Sequence, residues 1–336
     1  MLNTNELNIV AEIAQYHDGS LGRVYALIDA LSNTGVSGIK FQIHNAEFES
    51  SKDEPWRVEF SKQDDSRYNY WKRVQFDKNQ WKDIRNYVKG KKLDFICSPF
   101  SIESAKMMFD IGVDAWKIAS GELTNVTLLN YLVQTKLPII CSTGMSNWAE
   151  IDQVYDILKE TDLIMVQCTS KYPTRYDEIG INVMNLMKEK YNIAVGLSDH
   201  SGSITPSIIS TVLGANYLEF HVCFSKEDYG PDVSSSLTID EIKLLMTNIK
   251  AIKQILDNPV DKDFMSTSLS ETRFAFNKSI CLNKQIEKDA VLSKNDLMCI
   301  KPAKGISASY FNQVVGKKVN RTIKKGEFLN WCDIYE

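Results

Sequence analysis

Short apolar segments alternate with longer amphipathic segments along the first three quarters of the chain. Eight apolar runs of strand length are separated, in most cases, by segments whose apolar positions recur at helical spacing. The runs span 8–14, 37–43, 93–98, 114–120, 137–142, 162–168, 192–198 and 216–222. Eight strands alternating with helices predict an α/β protein with a (β/α)8 barrel, often called a TIM barrel. A doubly wound open sheet is the alternative, but no glycine fingerprint follows the first run.

The connection after the second predicted strand is much longer than the others. Residues 44–76 are polar and rich in aromatic side chains. Long ordered loops in compact domains are usually active-site lids or binding loops, whereas the simpler interpretation is a surface excursion. The pattern leaves both interpretations open.

A second, smaller unit follows the predicted barrel. We assign residues 1–257 to the barrel, the polar stretch 258–272 to a linker, and 273–336 to a C-terminal unit of short strands separated by Lys-Gly and Asp turns. A unit of this size has a small core and gains stability by docking on something larger.

Composition excludes several classes of protein. The chain has 336 residues and a formal net charge of −4, which offers no electrostatic basis for binding nucleic acid or an anionic membrane. No apolar run reaches the length of a bilayer span, and the N-terminus lacks the basic flank of a signal peptide. Seven cysteines without CxxC spacing are typical of free thiols, so we expect a cytoplasmic protein.

Charged side chains interrupt the apolar runs at four positions, which are Glu12, Lys40, Lys117 and Glu219. A buried, unpaired charge costs several kcal/mol, so such residues rarely occur without a function. Side chains alternate along a strand, and the barrel interior near its C-terminal end is where barrel enzymes carry their active sites. Polar groups occur at or near the ends of all eight runs: Glu12, Lys40, Gln42, Ser98, Lys117, Ser120, Ser142, Cys168, Ser170, Ser198, His200, Glu219 and His221.

These residue types indicate an anionic substrate and a metal ion. Ammonium groups are common partners of phosphate and carboxylate, and two of them lie in the strands. His200 and His221 come from consecutive predicted strands, an arrangement that suits a divalent metal site with open positions for water and substrate. The alternative is that both are core or hydrogen-bonding histidines. His17 and His44 are weaker candidates, because His17 fits a simple turn before a helix.

The chain resembles the sialic acid synthase family, which includes N-acetylneuraminate, legionaminate and pseudaminate synthases. The similarity runs in register through AEIAQYHDGS (11–20), GIKFQ (38–42), SPFS (98–101), WKIASGELTN (116–125), STGM (142–145), QCTSKYP (167–173), GLSDHS (196–201), EFHV (219–222) and GPD (230–232). KPAKGIS (301–307) and GKKVNRTIKKGEFL (316–329) are similar to the family's C-terminal antifreeze-like, or SAF, domain.

The resemblance implies a reaction and a set of site residues. Phosphoenolpyruvate condenses with the open-chain aldehyde of an amino sugar, a divalent ion (Mn²⁺, or alternatively Mg²⁺ or Co²⁺) polarises that aldehyde, and phosphate leaves. By position, His200 and His221 match metal ligands. The phosphoenolpyruvate contacts match Lys40, Ser98, Lys117, Ser120, Ser142 and Ser198, and we add Ser170 to the substrate-binding set. Residues around the acceptor and the reacting centre match Glu12, Gln42, Tyr172 and Asp232. Glu12 and Asp232 are the expected proton-handling groups, and Glu219 is expected to support the others structurally.

The resemblance also implies a domain-swapped homodimer and leaves the acceptor open. Three departures from the family bear on the acceptor: Phe220 replaces a common Lys, Val233–Ser234 replaces a common His-Lys, and Lys301 stands where the family has an acceptor-contacting Arg. Lysine does not reproduce a bidentate arginine contact. We therefore expect a modified or deoxygenated amino sugar. The alternatives are an enzyme for a phosphorylated aldose, using basic residues such as Arg57, Arg67, Lys72 and Arg73, or an inactive carbohydrate-binding protein.

Overall fold

Eight parallel strands close into a barrel in the computed structural model, which describes residues 3–336. The strands are β1 (Asn8–Glu12), β2 (Gly38–Ile43), β3 (Asp94–Pro99), β4 (Ala115–Ile118), β5 (Ile139–Ser142), β6 (Leu163–Cys168), β7 (Ala194–Asp199) and β8 (Tyr217–Cys223). Each strand pairs with the next in sequence, and β1 also pairs with β8, which closes the ring. The predicted (β/α)8 barrel is confirmed. A short ninth strand, β9 (Ser236–Thr238), pairs with β8 and was too brief for the apolar pattern to predict.

Helices follow the strands, and all but α2 and α3 of the long connection belong to the layer outside the ring. They are α1 (Leu21–Ser32), α2 (Ala46–Glu49), α3 (Arg67–Val74), α4 (Lys78–Gly90), α5 (Ile102–Ile111), α6 (Val126–Gln134), α7 (Trp148–Leu158), α8 (Ile181–Tyr191), α9 (Thr205–Val212) and α10 (Ile239–Leu256). Local sequence fixes several of their ends. Asp77 and Asn147 each form a capping box, and Gly112 ends α5 with φ 95°, a conformation that a side chain disfavours.

Side chains in the barrel interior form an apolar layer with a polar layer above it. On β1, Ile9 and Ala11 face the helices, whereas Val10 belongs to the interior apolar cluster. Two residues further on, Glu12 shares the interior face with Val10 because strand side chains alternate. The register sets Glu12 opposite Lys40 on one side and His221 on the other. The topology therefore brings the strand-end polar groups to one end of the ring.

The long connection 44–76 is ordered and contains α2 and α3. Its aromatic side chains form a separate cluster in which Tyr70 and Trp71 are buried and Trp56 and Phe60 pack against them. The rings of Phe60 and Tyr70 meet edge to face with centroids 5.2 Å apart. Because this cluster has its own small core, the connection holds a defined conformation.

A second compact unit comprises Asp257–Glu336. It contains α11 (Lys262–Ser268), α12 (Ser270–Phe276), β10 (Ser279–Leu282), β11 (Leu297–Ile300), α13 (Phe311–Val314), β12 (Lys318–Val319) and β13 (Ile334–Tyr335). The two strand pairs enclose a small core of aliphatic side chains that includes Ile280, Val314 and Leu329. The predicted linker 258–272 contains α11 and the start of α12. The side chain of Asp261 caps the N-terminus of α11.

Candidate active site

Glu219 is the centre of a buried network inside the barrel. Its Oε1 lies 2.9 Å from Lys40 Nζ and 3.0 Å from Lys117 Nζ. The Ser198 hydroxyl donates to the same oxygen over 2.9 Å, and the Tyr217 hydroxyl donates to Oε2 over 2.7 Å. Burial alone would raise the pKa of Glu219, but the two ammonium groups outweigh it and hold this pKa at about 2. Glu219 therefore fixes both lysines in position, as expected of a structural support.

Glu12 connects this network to the histidines. Its Oε2 lies 2.8 Å from Lys40 Nζ and 3.1 Å from His221 Nε2, and its Oε1 accepts a 2.6 Å hydrogen bond from Gln42. Burial would raise the pKa of Glu12, but the positive charge of Lys40 and the contact with His221 hold it well below its ordinary value. Glu12 is thus an ionised carboxylate between the lysines and the histidine pair.

Lys40 and Lys117 differ in their electrostatic surroundings. Burial would lower the pKa of Lys40, but Glu12 and Glu219 together raise it above its ordinary value. Burial lowers the pKa of Lys117, whose one ion-pair partner among the described residues 3–336 is Glu219. Lys117 also donates to Ser142 Oγ over 2.7 Å. Two buried ammonium groups in different electrostatic surroundings are thus held beside hydroxyls that also face the cavity.

The histidines face one another on the outer side of this network. The rings of His200 and His221 lie 5.1 Å apart, centroid to centroid, and the Tyr172 ring lies 4.1 Å from that of His200. His200 Nδ1 donates to the backbone carbonyl of Thr169 over 3.0 Å, which leaves Nε2 available to a ligand. Asp232 Oδ2 lies 3.8 Å from His221 Nδ1.

These residues fit a divalent metal ion with two protein ligands. His221 Nδ1 is buried and has no hydrogen-bond partner within the described part of the chain, residues 3–336, although buried polar atoms rarely lack one. Two imidazoles and neighbouring carboxylates are suitable donors for Mn²⁺, and the remaining positions would stay open. Among residues 3–336, no group of three or more His, Cys, Asp or Glu side chains has the arrangement of a complete metal site. The fit therefore depends on the histidine pair.

The predicted serines have different environments. The hydroxyls of Ser120 and Ser170 both lie close to the backbone of Gly144. A Cβ atom added to Gly144 would lie 2.6 Å from each hydroxyl oxygen, so a side chain at this position would clash with them. Ser98 is fully buried, has an unpaired hydroxyl and does not line the cavity. Lys301 belongs to the second unit, where its ammonium lies 4.7 Å from the centre of the Phe276 ring.

Most of the predicted residues line one cavity of about 280 Å³. The structure brings together Glu12, Lys40, Gln42, Lys117, Ser120, Ser142, Ser170, Tyr172, Ser198, His200, His221 and Asp232. Of the weaker candidates, His17 is structural, since it packs on Phe76 and its Nδ1 accepts the Gly19 N–H. His44 lines the cavity, where its ring is stacked between Trp71 and Phe100.

The long connection contributes side chains that the strand pattern did not predict. Trp56, Arg57, Val58, Phe60 and Tyr70 line the same cavity. The Arg57 guanidinium donates to Asp232 Oδ1 over 2.8 Å and lies 4.3 Å from the centre of the Tyr172 ring. The length and aromatic content of the connection were the only sequence signals for this contribution, and they specify no individual contact.

The barrel, its polar layer and the second unit together define the class of protein. The NeuB family model matches residues 27–261, and the SAF domain model matches residues 277–334. The chain therefore belongs to the NeuB family and ends in an SAF domain, as the motifs predicted.

Relatives of the chain are nonulosonic acid synthases. The chain is 29% identical to the N,N'-diacetyllegionaminic acid synthase of Campylobacter jejuni, over 96% of this chain and 98% of the relative. It is 27% identical to a pseudaminic acid synthase of Campylobacter jejuni, over 97% and 96% of the two chains. The crystal structure of the N-acetylneuraminic acid synthetase of Leptospira borgpetersenii has a TM-score of 0.70 and 27% identity, covering 81% of this chain and 92% of that one.

Proposed function

We propose that this protein condenses phosphoenolpyruvate with the open-chain aldehyde of an N-acylated amino sugar, giving a nonulosonate and phosphate. The observation that carries the proposal is that one cavity contains both a pair of buried lysines and a pair of histidines beside a carboxylate. Buried Lys40 and Lys117 lie on the barrel side, and His200, His221 and Asp232 lie on the outer side. The barrel side suits an anionic donor and the outer side suits a carbonyl electrophile.

The barrel side is suited to phosphoenolpyruvate. Lys40 and Lys117 provide charge-assisted hydrogen bonds, which are about twice as strong as neutral ones. The hydroxyls of Ser120, Ser142 and Ser170 add neutral donors at the same cavity wall. A phosphate and a carboxylate in one small molecule match this distribution of donors.

The outer side is suited to the aldehyde. His200 and His221 would hold the Mn²⁺-type ion, which supplies Lewis acidity toward the aldehyde oxygen when bound. Glu12 and Asp232 are carboxylates beside the histidines and are placed to orient or deprotonate a water molecule.

The proposed reaction forms one carbon–carbon bond and cleaves the C–O bond to phosphate. Carbon 3 of phosphoenolpyruvate forms a bond to the aldehyde carbon, and the aldehyde oxygen takes up a proton. Water adds to carbon 2 and loses a proton to one of the two carboxylates. The C–O bond from carbon 2 to phosphate then breaks as the hydroxyl on carbon 2 becomes a ketone. The bonding electrons and the hydroxyl proton leave with inorganic phosphate.

The charge pattern of the long connection favours an acceptor without a phosphate group. Arg57 is paired with Asp232, Arg67 with Glu54 over 3.1 Å, and Arg73 with Asp18 and Asp64 over 2.9 and 2.8 Å. Three of the four residues considered for a second phosphate thus already have carboxylate partners. The fourth, Lys72, lies 5.8 Å from the centre of the Tyr68 ring and does not line the cavity. Of the family departures, Phe220 belongs to the core between barrel and helices, so it does not alter the cavity wall.

Exposed apolar side chains support the proposal that the protein acts as a homodimer. Ile255, Val260, Phe264, Phe274 and Phe276 are 54–71% exposed within the chain. Apolar surface of this kind in one short segment usually marks an interaction site. Sedimentation of the wild type against a Phe264→Asp, Phe276→Asp variant tests this: we expect a dimer and a monomer, respectively, and a monomeric wild type contradicts the proposal.

Phosphate release tests the proposed function. The full chain is purified with Mn²⁺ and assayed with phosphoenolpyruvate against N-acetylmannosamine, 2,4-diacetamido-2,4,6-trideoxymannose and arabinose 5-phosphate. We expect release with a diacetamido-trideoxy sugar, none with arabinose 5-phosphate, and none in His221→Ala. A clear preference for N-acetylmannosamine contradicts the modified acceptor, and release with arabinose 5-phosphate contradicts the acceptor class. Binding of phosphoenolpyruvate and Mn²⁺ without turnover on any acceptor overturns the reaction.

A further inference from the structure

Arg57 of the 44–76 connection forms an ion pair with Asp232, a carboxylate that lines the cavity. Among the described residues 3–336, no other side chain of this connection pairs with a cavity-lining carboxylate from a barrel strand or the loop after it. The Arg57 guanidinium is fixed at two points, by the 2.8 Å contact with Asp232 Oδ1 and by the face of Tyr172 at 4.3 Å. Tyr172 packs in turn against His200. Arg57 is thus held against the residues of the outer side of the cavity.

The remaining donors of Arg57 are accessible. The Arg57 side chain is 40% exposed, and a guanidinium carries five N–H groups, of which the Asp232 contact uses one. Stacking on an aromatic ring restricts a guanidinium without consuming its donors. Arg57 therefore presents oriented N–H groups to the cavity rather than a mobile charge.

Apolar side chains of the same connection line the cavity together with Arg57. Trp56, Val58 and Phe60 line the cavity beside it, and Val58 is 51% exposed. An acyl-amide group has a carbonyl oxygen that accepts from a guanidinium and a methyl group that packs on aromatic side chains. A phosphate group matches this wall poorly, since the charge of Arg57 is already balanced by Asp232.

Besides His221 Nδ1, two unpaired polar atoms belong to residues that line the same cavity. Tyr70 OH and Gln15 Oε1 are both buried, and neither has a hydrogen-bond partner among residues 3–336. Buried polar atoms without partners in a cavity wall are explained when a ligand completes them. They supply a hydroxyl and an acceptor suited to sugar hydroxyl groups.

We infer that Arg57 is a specificity-determining residue that binds the acyl carbonyl of the acceptor sugar, with the 44–76 connection forming the acceptor half of the site. The inference rests on the proposed function. It assigns to Arg57 no part in binding phosphoenolpyruvate, whose expected partners lie on the barrel side.

Steady-state kinetics of Arg57→Ala and Arg57→Lys test the inference. With the acylated sugar that the wild type uses, we expect Arg57→Ala to raise the acceptor KM about tenfold or more, since one charge-assisted hydrogen bond is worth about that factor. The KM for phosphoenolpyruvate should stay within about twofold. Arg57→Lys should restore only part of the acceptor affinity, because lysine keeps the positive charge but lacks the planar set of N–H donors of a guanidinium.

An acceptor that lacks the acyl group distinguishes loss of acyl binding from a general loss of activity in the variant. Mannose and 6-deoxymannose are the acyl-free counterparts of the two amino sugars. On them Arg57→Ala should lose clearly less in kcat/KM than on the acylated sugars, because only the contact with Asp232 is then lost. Arg175→Ala is the matched control, because Arg175 is an exposed arginine paired with Asp177 over 2.8 Å and does not line the cavity.

The outcomes distinguish this inference from the proposed function. A wild type that is silent on every acceptor overturns the proposed function. An active wild type whose Arg57→Ala variant keeps its acceptor KM, or loses equally on acylated and acyl-free sugars, overturns the role of Arg57. A rise in the KM for phosphoenolpyruvate equal to that for the acceptor also overturns it.

Discussion

The strand-end network and the 44–76 connection line the same cavity but are built differently. Lys40, Lys117 and Glu219 extend from neighbouring parts of one closed sheet and are almost wholly buried. Arg57 reaches the cavity from a connection with its own aromatic core and is 40% exposed. The comparison indicates that the sheet fixes the chemistry common to a family, whereas an inserted connection is free to set the substrate.

Removal of Glu219 is expected to have the largest effect, because four donors converge on its carboxylate. Glu219→Ala leaves two buried ammonium groups under-compensated, and breaking a buried ion pair typically costs about 3–5 kcal/mol. Urea unfolding measures the loss. Glu189, an exposed glutamate on α8, provides the control, and Glu189→Ala should change the free energy of unfolding by about 0.5 kcal/mol or less. Similar losses in both variants would contradict the supporting role of Glu219.

Removal of Lys117 is expected to affect activity more than stability. Lys40 remains as a partner for Glu219, but the anion loses one of its two ammonium contacts. We expect Lys117→Ala to lower kcat/KM for phosphoenolpyruvate on the order of 10²–10³-fold, as for other preorganised donors. Lys106→Ala, at an exposed position of α5, should be indistinguishable from wild type. An unchanged KM and kcat in Lys117→Ala would remove this lysine from the donor site.

The low pKa of Glu219 makes the stability of the network depend on pH. The folded pKa of about 2 lies below the ordinary value of 4.5, so below pH 4.5 the unfolded chain binds a proton that the folded chain does not. Stability from this group is therefore full above pH 4.5 and is lost as the pH falls toward 2, at up to about 1.4 kcal/mol per pH unit. Urea unfolding between pH 6 and pH 3 should show a shallower decline in Glu219→Gln. Parallel declines would contradict the assignment.

The sequence was a good guide to the sheet and a poor guide to the connection, for a physical reason. Period-two alternation determines which strand residues face the barrel interior, so Glu12, Lys40 and Glu219 were identifiable as a cluster. No periodicity determines the path of residues 44–76, and the contact of Arg57 with Asp232 joins positions 175 residues apart. Ser98 lies on β3 as the motif predicted, but it is not among the residues that line the cavity, so its substrate contact stays a prediction.

The smallest effect is expected from an ion pair of the connection itself. Arg67 and Glu54 are 28% and 26% exposed, and partly exposed pairs contribute about 0–1 kcal/mol because water already solvates both charges. Arg67→Ala should therefore lower the free energy of unfolding by about 1 kcal/mol or less, some loss of packing on Trp71 included. The acceptor KM of Arg67→Ala is measured as well. It should change less than in Arg57→Ala, since an acceptor without phosphate does not need the charge of Arg67. An acceptor KM raised as much as in Arg57→Ala would show that recognition is spread along the connection rather than concentrated at Arg57.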